Sequence, residues 1–425
     1  MSTPVEVTMK RSANIYPWVL VALLWVVALL NYMDRQMLST MRPSMEVDIA
    51  ELESAANFGR LMAIFLWIYG FMSPLAGMIA DRVSKKWLIV ASLFVWSGVT
   101  FAMGYATSFD QLYWLRAIMG VSEALYIPAG LSLIADFHSS RTRSLAVGIH
   151  MTGLYMGQAL GGFGATIAEQ FSWQQTFFTF GMIGMVYSVL LVFFLRSKKS
   201  LAEQPVLSPE VTRSKPNFFG GLAFVTANIS FWIIFLYFAV PSLPGWGVKN
   251  WLPTLFANKL GVEMSLAGPL STITIAASSF LGVIIGGTLS DRWVQKNVRG
   301  RIFTSAIGLS LTIPSLLLVG FGSSSFHVTA AAFCFGFGFG MFDANNMPIL
   351  CQFVASKHRA TAYGLLNMGG VFSGAFITDW LGKSTDAGNL GRDFALLSVV
   401  VMVVLIIQLL FLRPKVKDYD EVLKR

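Results

Sequence analysis

Apolar residues run along this chain in long blocks, separated by short polar breaks that hold most of the charge. A block of about 20 apolar residues is long enough to cross a bilayer as a helix. Twelve such blocks are predicted, near 17–40, 57–80, 86–105, 111–136, 143–168, 173–195, 218–241, 265–289, 302–322, 326–352, 360–382 and 393–412. Several contain Gly or Pro, which membrane helices tolerate better than soluble ones. The seventh is the least regular. Past Pro241, Pro244 and Pro253 it is expected to continue as a broken, partly re-entrant segment through GWGVKNWLPTLF. The pattern predicts an all-α membrane protein with twelve transmembrane helices.

The polar breaks set the orientation, because Lys and Arg concentrate in cytoplasmic loops. With the N-terminus inside, the inner segments hold 23 of the 31 Lys and Arg residues; the outer loops hold Arg42, Arg60, Lys249, Lys259, Lys383 and Arg392. Both termini are therefore expected in the cytoplasm, and the membrane is read as the cytoplasmic (inner) one. The polar stretch between the sixth and seventh blocks divides the chain. The expected units are a cytoplasmic N-terminal segment (1–16), a six-helix bundle (17–196), a cytoplasmic linker (197–217), a second six-helix bundle (218–413) and a cytoplasmic tail (414–425).

The two halves echo each other. GMIADRVSKK (77–86) ends the second block and GTLSDRWVQK (287–296) ends the eighth. Arg143 and Gly148 open the fifth block with the same spacing as Arg359 and Gly364 in the eleventh. Paired six-helix units with a cargo site between them are a design of alternating-access carriers.

Composition agrees with the periodicity. The chain has 425 residues, 55% hydrophobic and 12% charged, against about 25% charged in a soluble domain. The net charge of +9 borders membrane spans, so no nucleic-acid partner is needed to explain it. Cys334 and Cys351 share one apolar stretch and read as small buried hydrophobes, which leaves no disulfide framework or metal site. The first apolar run continues too long for a signal peptide and reads as a retained helix. No cofactor is expected, and the four histidines and two cysteines form no enzyme-like cluster. The partners read as the bilayer and a small molecule carried by a monomer.

The informative residues are the charges inside the spans. WVLVALLWVVALL (18–30) leads straight into Asn31, Tyr32, Asp34 and Arg35. The fourth block carries Arg116 and Glu123, seven residues apart, about two turns along one helix face. Charge at membrane depth is costly and marks a pathway or a binding site. Two acids and two bases at similar depth are expected to neutralise one another when no cargo is present. His150 and Gln158 in the fifth block, and Asp343, Asn345 and Asn346 in the tenth, add polar groups that are candidate cargo contacts; His150 and Gln158 also read as interior hydrogen-bonding residues. Asp343 is read either as an acceptor for His150 or for a broken helix, or as a contact for cargo hydroxyls. The glycines of GFGFGFGMFD (Gly336, Gly338, Gly340) follow no strand and so are not a phosphate loop; they are expected to permit close helix approach. Trp246, Lys249, Asn250 and Trp251 read as a polar and aromatic patch at the outer mouth, for interfacial anchoring or, as the alternative, for stacking on a sugar.

Gly77, Asp81, Arg82, Lys85 and Lys86 resemble the loop motif of the major facilitator superfamily, with Ser84 in place of its second glycine. The resemblance implies gating roles for Asp81, Arg82, Asp291 and Arg292. NYMDR together with Arg116 and Glu123 resembles that superfamily's anion:cation symporter branch, which includes hexuronate, galactonate and sialic-acid carriers. The resemblance implies that Asp34 and Glu123 take protons and that Arg35 receives a cargo carboxylate. It also implies that Arg116 is the charge partner of Glu123, and that Tyr32, Tyr69 and Asn367 contact cargo. The expected function is import of an organic anion, a sugar acid, by proton symport; sodium as the coupling ion stays open, as does the identity of the acid. LNYMDR and GVSEALY also resemble spinster-type lipid carriers, so a lipid or lysolipid cargo is the alternative, and a membrane-bound enzyme a remote one.

Overall fold

The computed structural model describes residues 15–138, 140–197, 226–227, 229–322 and 324–418, and every regular element among them is helical. The first half holds α1 (Tyr16–Met45), α2 (Ala55–Arg82), α3 (Lys85–Met103), α4 (Phe109–Ala124), α5 (Tyr126–Phe137), α6 (Ser140–Gly161), α7 (Gly164–Gln170) and α8 (Trp173–Phe194). The second holds α9 (Ile229–Leu260), α10 (Met264–Lys296), α11 (Gly300–Phe321), α12 (Ser325–Asp343), α13 (Asn346–Phe353), α14 (Ser356–Asp386) and α15 (Leu390–Phe411). The pairs α4–α5, α6–α7 and α12–α13 are interrupted single spans, which gives six spans in each half. Ten spans meet the length and apolarity needed to cross a membrane. The other two, α6–α7 and α14, are more polar, and they lie where the halves meet: α6 packs on α10 and α14 on α2. The expected linker and tail fall largely on residues 198–225 and 419–425, outside the described residues.

Proline and glycine set the local geometry. Pro128 and Pro348 have no N–H to offer the carbonyls of Ala124 and Ala344, four residues back, and there α4 and α12 stop. Gly153, Gly157 and Gly161 form a stripe on α6 that lies against the α1 backbone. A methyl on Gly157 would sit 2.2 Å from the Leu29 carbonyl oxygen. Gly336 and Gly340 take the α12 backbone onto α10, and Gly338 takes it onto α11. This is the close approach expected of the glycine run.

Three readings of the sequence need correction. The seventh span does not break: α9 is one 32-residue helix that contains Pro241, Pro244 and Pro253. The Trp246–Trp251 stretch therefore lies inside a helix and is not an interfacial patch. Trp251 is fully buried, with its indole N–H donating to the Thr378 carbonyl at 3.0 Å, and Asn250 donates to the Thr378 hydroxyl. Cys334 is exposed on the helix surface and Cys351 is half-buried, so neither is a core residue.

The halves are closed at one end and parted at the other. At the end away from the basic loops, a methyl on Gly268 would lie 2.4 Å from the Gly162 carbonyl oxygen, and one on Gly382 would lie 2.5 Å from that of Ala55. Asp386 of α14 caps α2 across this seam, accepting from the Ala55 and Ala56 N–H groups and from the Ser54 hydroxyl at 2.7, 2.9 and 2.8 Å. Two prolines contribute as well. Pro253 cannot donate to the Lys249 carbonyl, which instead accepts from Gln36 Nε2 of α1 at 2.9 Å. Pro269 likewise leaves the Ser265 carbonyl to the Thr166 hydroxyl of α7 at 2.8 Å.

At the basic end, Gly77, Gly148, Gly287 and Gly364 face open space. The described ion pairs there stay within one half: Lys85–Asp136 at 2.6 Å, Arg359–Asp418 at 2.5 Å and Arg301–Asp291 at 3.9 Å. Of the expected gating residues, Arg82, Asp291 and Arg292 are exposed, and the Asp81 side chain lies outside the described residues.

Candidate functional site

Between the closed seam and the parted end, α1 and α4 bring their charges together against aromatic rings of α2. Arg35 donates from Nε to Glu123 Oε2 at 2.6 Å, and Asn31 Nδ2 donates to the same oxygen at 3.0 Å. Glu123 is fully buried, whereas Arg35 is 11% exposed. Its guanidinium carbon lies 5.1, 4.8 and 4.7 Å from the ring centres of Tyr32, Phe65 and Tyr69. This aromatic cradle fixes the plane of the guanidinium and adds cation–π attraction. Arg35 Nη2 and Glu123 Oε1 are buried and unpartnered among the described residues. Unsatisfied buried polar atoms are rare in folded proteins and require a cause, and here both members of one ion pair carry one.

The expected pairing of Arg116 with Glu123 is not the one adopted. Arg116 stacks on Phe65 at 4.5 Å and points Nη1 at the Met119 sulfur, while Arg35 holds the glutamate. Seven residues along α4 align the two side chains, but Arg35 approaches from α1 with a shorter path to the carboxylate. Asp34 accepts from the Thr100 hydroxyl at 3.3 Å, and its other oxygen is buried and has no partner among the described residues. It does not pair with Arg35, its neighbour in sequence, because successive residues on a helix point in different directions.

Other predicted contacts divide. Tyr32 and Tyr69 belong to the cradle. Asn367 donates to the Ser73 hydroxyl at 3.0 Å and so ties α14 to α2. Gln158 is buried beside Gln36, Lys249 and Thr272 where the halves touch. His150 is fully buried within the first half, with Nε2 2.8 Å from the Tyr126 hydroxyl, which itself donates to the Leu24 carbonyl. It does not reach Asp343, and no cavity surface exposes it. Asn345 is buried and donates to the Met341 carbonyl. Asn346 donates to Asp343 at 3.1 Å, and Asp343 is exposed.

Sequence reasoning missed Lys249, which it placed in an outer loop. Its ammonium lies 5.1 Å from the Trp246 ring centre and 6.0 Å from that of Tyr32 in the opposite half, with Asp343 close enough to interact with it electrostatically. A second internal echo would have tied its acidic neighbour Asp343 to Glu123. Glu123-Ala-Leu-Tyr-Ile-Pro128 and Asp343-Ala-Asn-Asn-Met-Pro348 share acid, alanine and proline at the same spacing.

The sequence profile of the Major Facilitator Superfamily matches residues 24–378. The chain is 25% identical over 316 residues to the hexuronate transporter of Bacillus subtilis, covering 70% of each chain. It is 26% identical to the D-galactonate transporter of Escherichia coli O6:H1 over 64% of this chain and 67% of that one. The fold superposes with a TM-score of 0.80, at 19% identity and over 95% of this chain and 98% of the other, on the crystal structure of a bacterial homologue of the human lysosomal transporter Spinster in its inward-facing, unoccupied conformation. With the profile spanning most of its length and two six-span halves meeting around buried charges, the chain belongs to the Major Facilitator Superfamily and is a multi-pass membrane transporter, not an enzyme.

Proposed function

We propose that this transporter imports an organic anion, a sugar acid, in symport with a proton by alternating access. The observation that carries the reading is Arg35, seated in an aromatic cradle and partly exposed, bonded to Glu123 on one side and without a hydrogen-bond partner at Nη2 among the described residues. A guanidinium presented in that way suits a carboxylate, which it grips with two parallel hydrogen bonds. The hexuronate and galactonate transporters among the relatives carry cargo of this chemistry by name.

Charge balance supports the coupling. The groups at membrane depth are Asp34, Glu123 and Asp343 against Arg35, Arg116 and Lys249, which is neutral when all are ionised. A cargo carboxylate that takes Arg35 strips Glu123 of its cation. A buried carboxylate left alone is costly, and a proton relieves it. Anion and proton then cross together, and the linkage between their binding is reciprocal. Cytoplasmic termini accord with the loop charges, and the inner membrane belongs to the same proposal.

The test is uptake of D-glucuronate and D-galactonate by proteoliposomes under an inward proton gradient, with a sodium gradient and a lysolipid as comparison arms. Glu123→Gln should bind and exchange cargo yet lose proton-driven accumulation. Arg35→Lys should lose binding, because an ammonium cannot supply the bidentate grip. Normal accumulation by either variant would overturn the assignment, and so would accumulation driven by sodium alone.

A further inference from the structure

Glu123 and Asp343 occupy matching places in the two halves. Each opens an acid-Ala-x-x-x-Pro sequence, and each lies where its span is interrupted, between α4 and α5 or between α12 and α13. Each also has a cation from the first helix of its own half. Arg35 lies ten residues before the end of α1 at Met45, and Lys249 eleven before the end of α9 at Leu260. The two cations meet on one aromatic group, with Arg35 Cζ 5.1 Å and Lys249 Nζ 6.0 Å from the centre of the same Tyr32 ring. Lys249 is half-buried, and its ammonium makes no hydrogen bond among the described residues. Asp343, its acidic neighbour, is exposed.

We propose that Lys249 and Asp343 form a second cation–acid pair of the cargo site, with Lys249 receiving a second anionic group of the cargo while Arg35 holds the first. This deepens the sugar-acid reading and rests on it. The favoured cargo becomes a dianion, a polyhydroxylated chain with an acid at each end. The two contacts come from opposite halves, so only a cargo that is anionic at both ends engages both bundles through charge. A monoanion held by Arg35 leaves Lys249 with Asp343 alone. A second carboxylate gains a charge-assisted contact, which contributes about 1.5–3 kcal/mol, a preference of roughly tenfold or more.

The experiment is calorimetric binding to the purified full-length protein of D-glucuronate, a monoanion, and D-glucarate, the corresponding dianion. The wild type should bind D-glucarate about tenfold or more tightly. Lys249→Met should abolish that preference, the two acids then binding within about threefold of each other, and Lys249→Arg should retain it. Should Lys249→Met alone not fold, with Asp343 deprived of its cation, Lys249→Met/Asp343→Asn removes both charges and should show the same loss. Equal affinity of the wild type for the two acids, or a preference that survives Lys249→Met, overturns the second site and leaves the sugar-acid reading standing. Binding of neither acid by the wild type overturns both.

Discussion

Replacing Gly268 by alanine puts a methyl carbon 2.4 Å from the Gly162 carbonyl oxygen and 3.0 Å from Thr40 Cγ2. Ordinary van der Waals contact for such a carbon begins near 3.4 Å, so the backbones of α10 and α6 must separate by about 1 Å, and the nearest obstacle is main chain that cannot rotate away. Overpacking of this kind costs about 1–3 kcal/mol. The clash exists only where the seam is closed, so the cost falls on one arrangement of the two halves and shifts their ratio by roughly 5- to 150-fold. The assay is labelling of a single cysteine at Ser271, buried in the seam, by a membrane-impermeant thiol reagent added from either side. Cys334 and Cys351 are replaced beforehand. Gly268→Ala should raise the labelling rate from the side away from the basic loops by about fivefold or more. Gly287→Ala, which faces open space, should not. An unchanged rate in Gly268→Ala with an unchanged melting temperature would refute the view that this glycine contact holds the seam.

Asp386 supplies a pH test of the same seam. Burial disfavours its charge, but the Ala56 N–H, the Ser54 hydroxyl, the Ala55 N–H and the charge of Arg42 outweigh this and hold its carboxyl below the ordinary carboxylate range. A depressed value in the folded protein means the stabilisation is complete above about pH 4, the unfolded value, and is lost as pH falls through the folded one. Thermal melts from about pH 6 to about pH 3 should show that loss, whereas Asp386→Asn should start about 1 kcal/mol lower and lack this component; identical profiles would sink the cap. His150→Ala should destabilise the protein by about 1–3 kcal/mol through the cavity left at a fully buried position and the loss of one of the two hydrogen bonds of the Tyr126 hydroxyl, which keeps the Leu24 carbonyl, and leave the ranking of sugar acids unchanged. An altered ranking at an unchanged melting temperature would return His150 to the cargo path.

How much of this was legible in the sequence depended on contrast. Asp34, Arg35, Arg116 and Glu123 stood out because each interrupts a hydrocarbon run, and charge in such a run has few explanations. Lys249 had no such contrast. Its neighbours are Trp, Gly, Asn and three prolines, which read as a loop in water but continue as helix where α14 and α10 flank them. Pairing was legible only in part. Spacing along α4 shows which face Arg116 and Glu123 share, but Arg35 reaches Glu123 from 88 positions away, and no local pattern encodes that. Asp343 was noticed as an acceptor or a cargo contact, but its relation to Glu123 appears only when the two halves are laid over each other.

The carbonyls that Pro253 and Pro269 leave unclaimed have a consequence for the thermodynamics of opening. An ordinary helix carbonyl already holds its own N–H, so a cross-seam donor must share it, and the shared bond is weak. The oxygens of Lys249 and Ser265 have no such prior claim. When the halves part, water can replace Gln36 and Thr166 as the donor, one hydrogen bond exchanged for another of similar strength. No turn of α9 or α10 has to reform or melt in either direction. Such a seam can be specific in register and still nearly neutral in enthalpy, a property that a structure obliged to open on every cycle needs more than it needs strength.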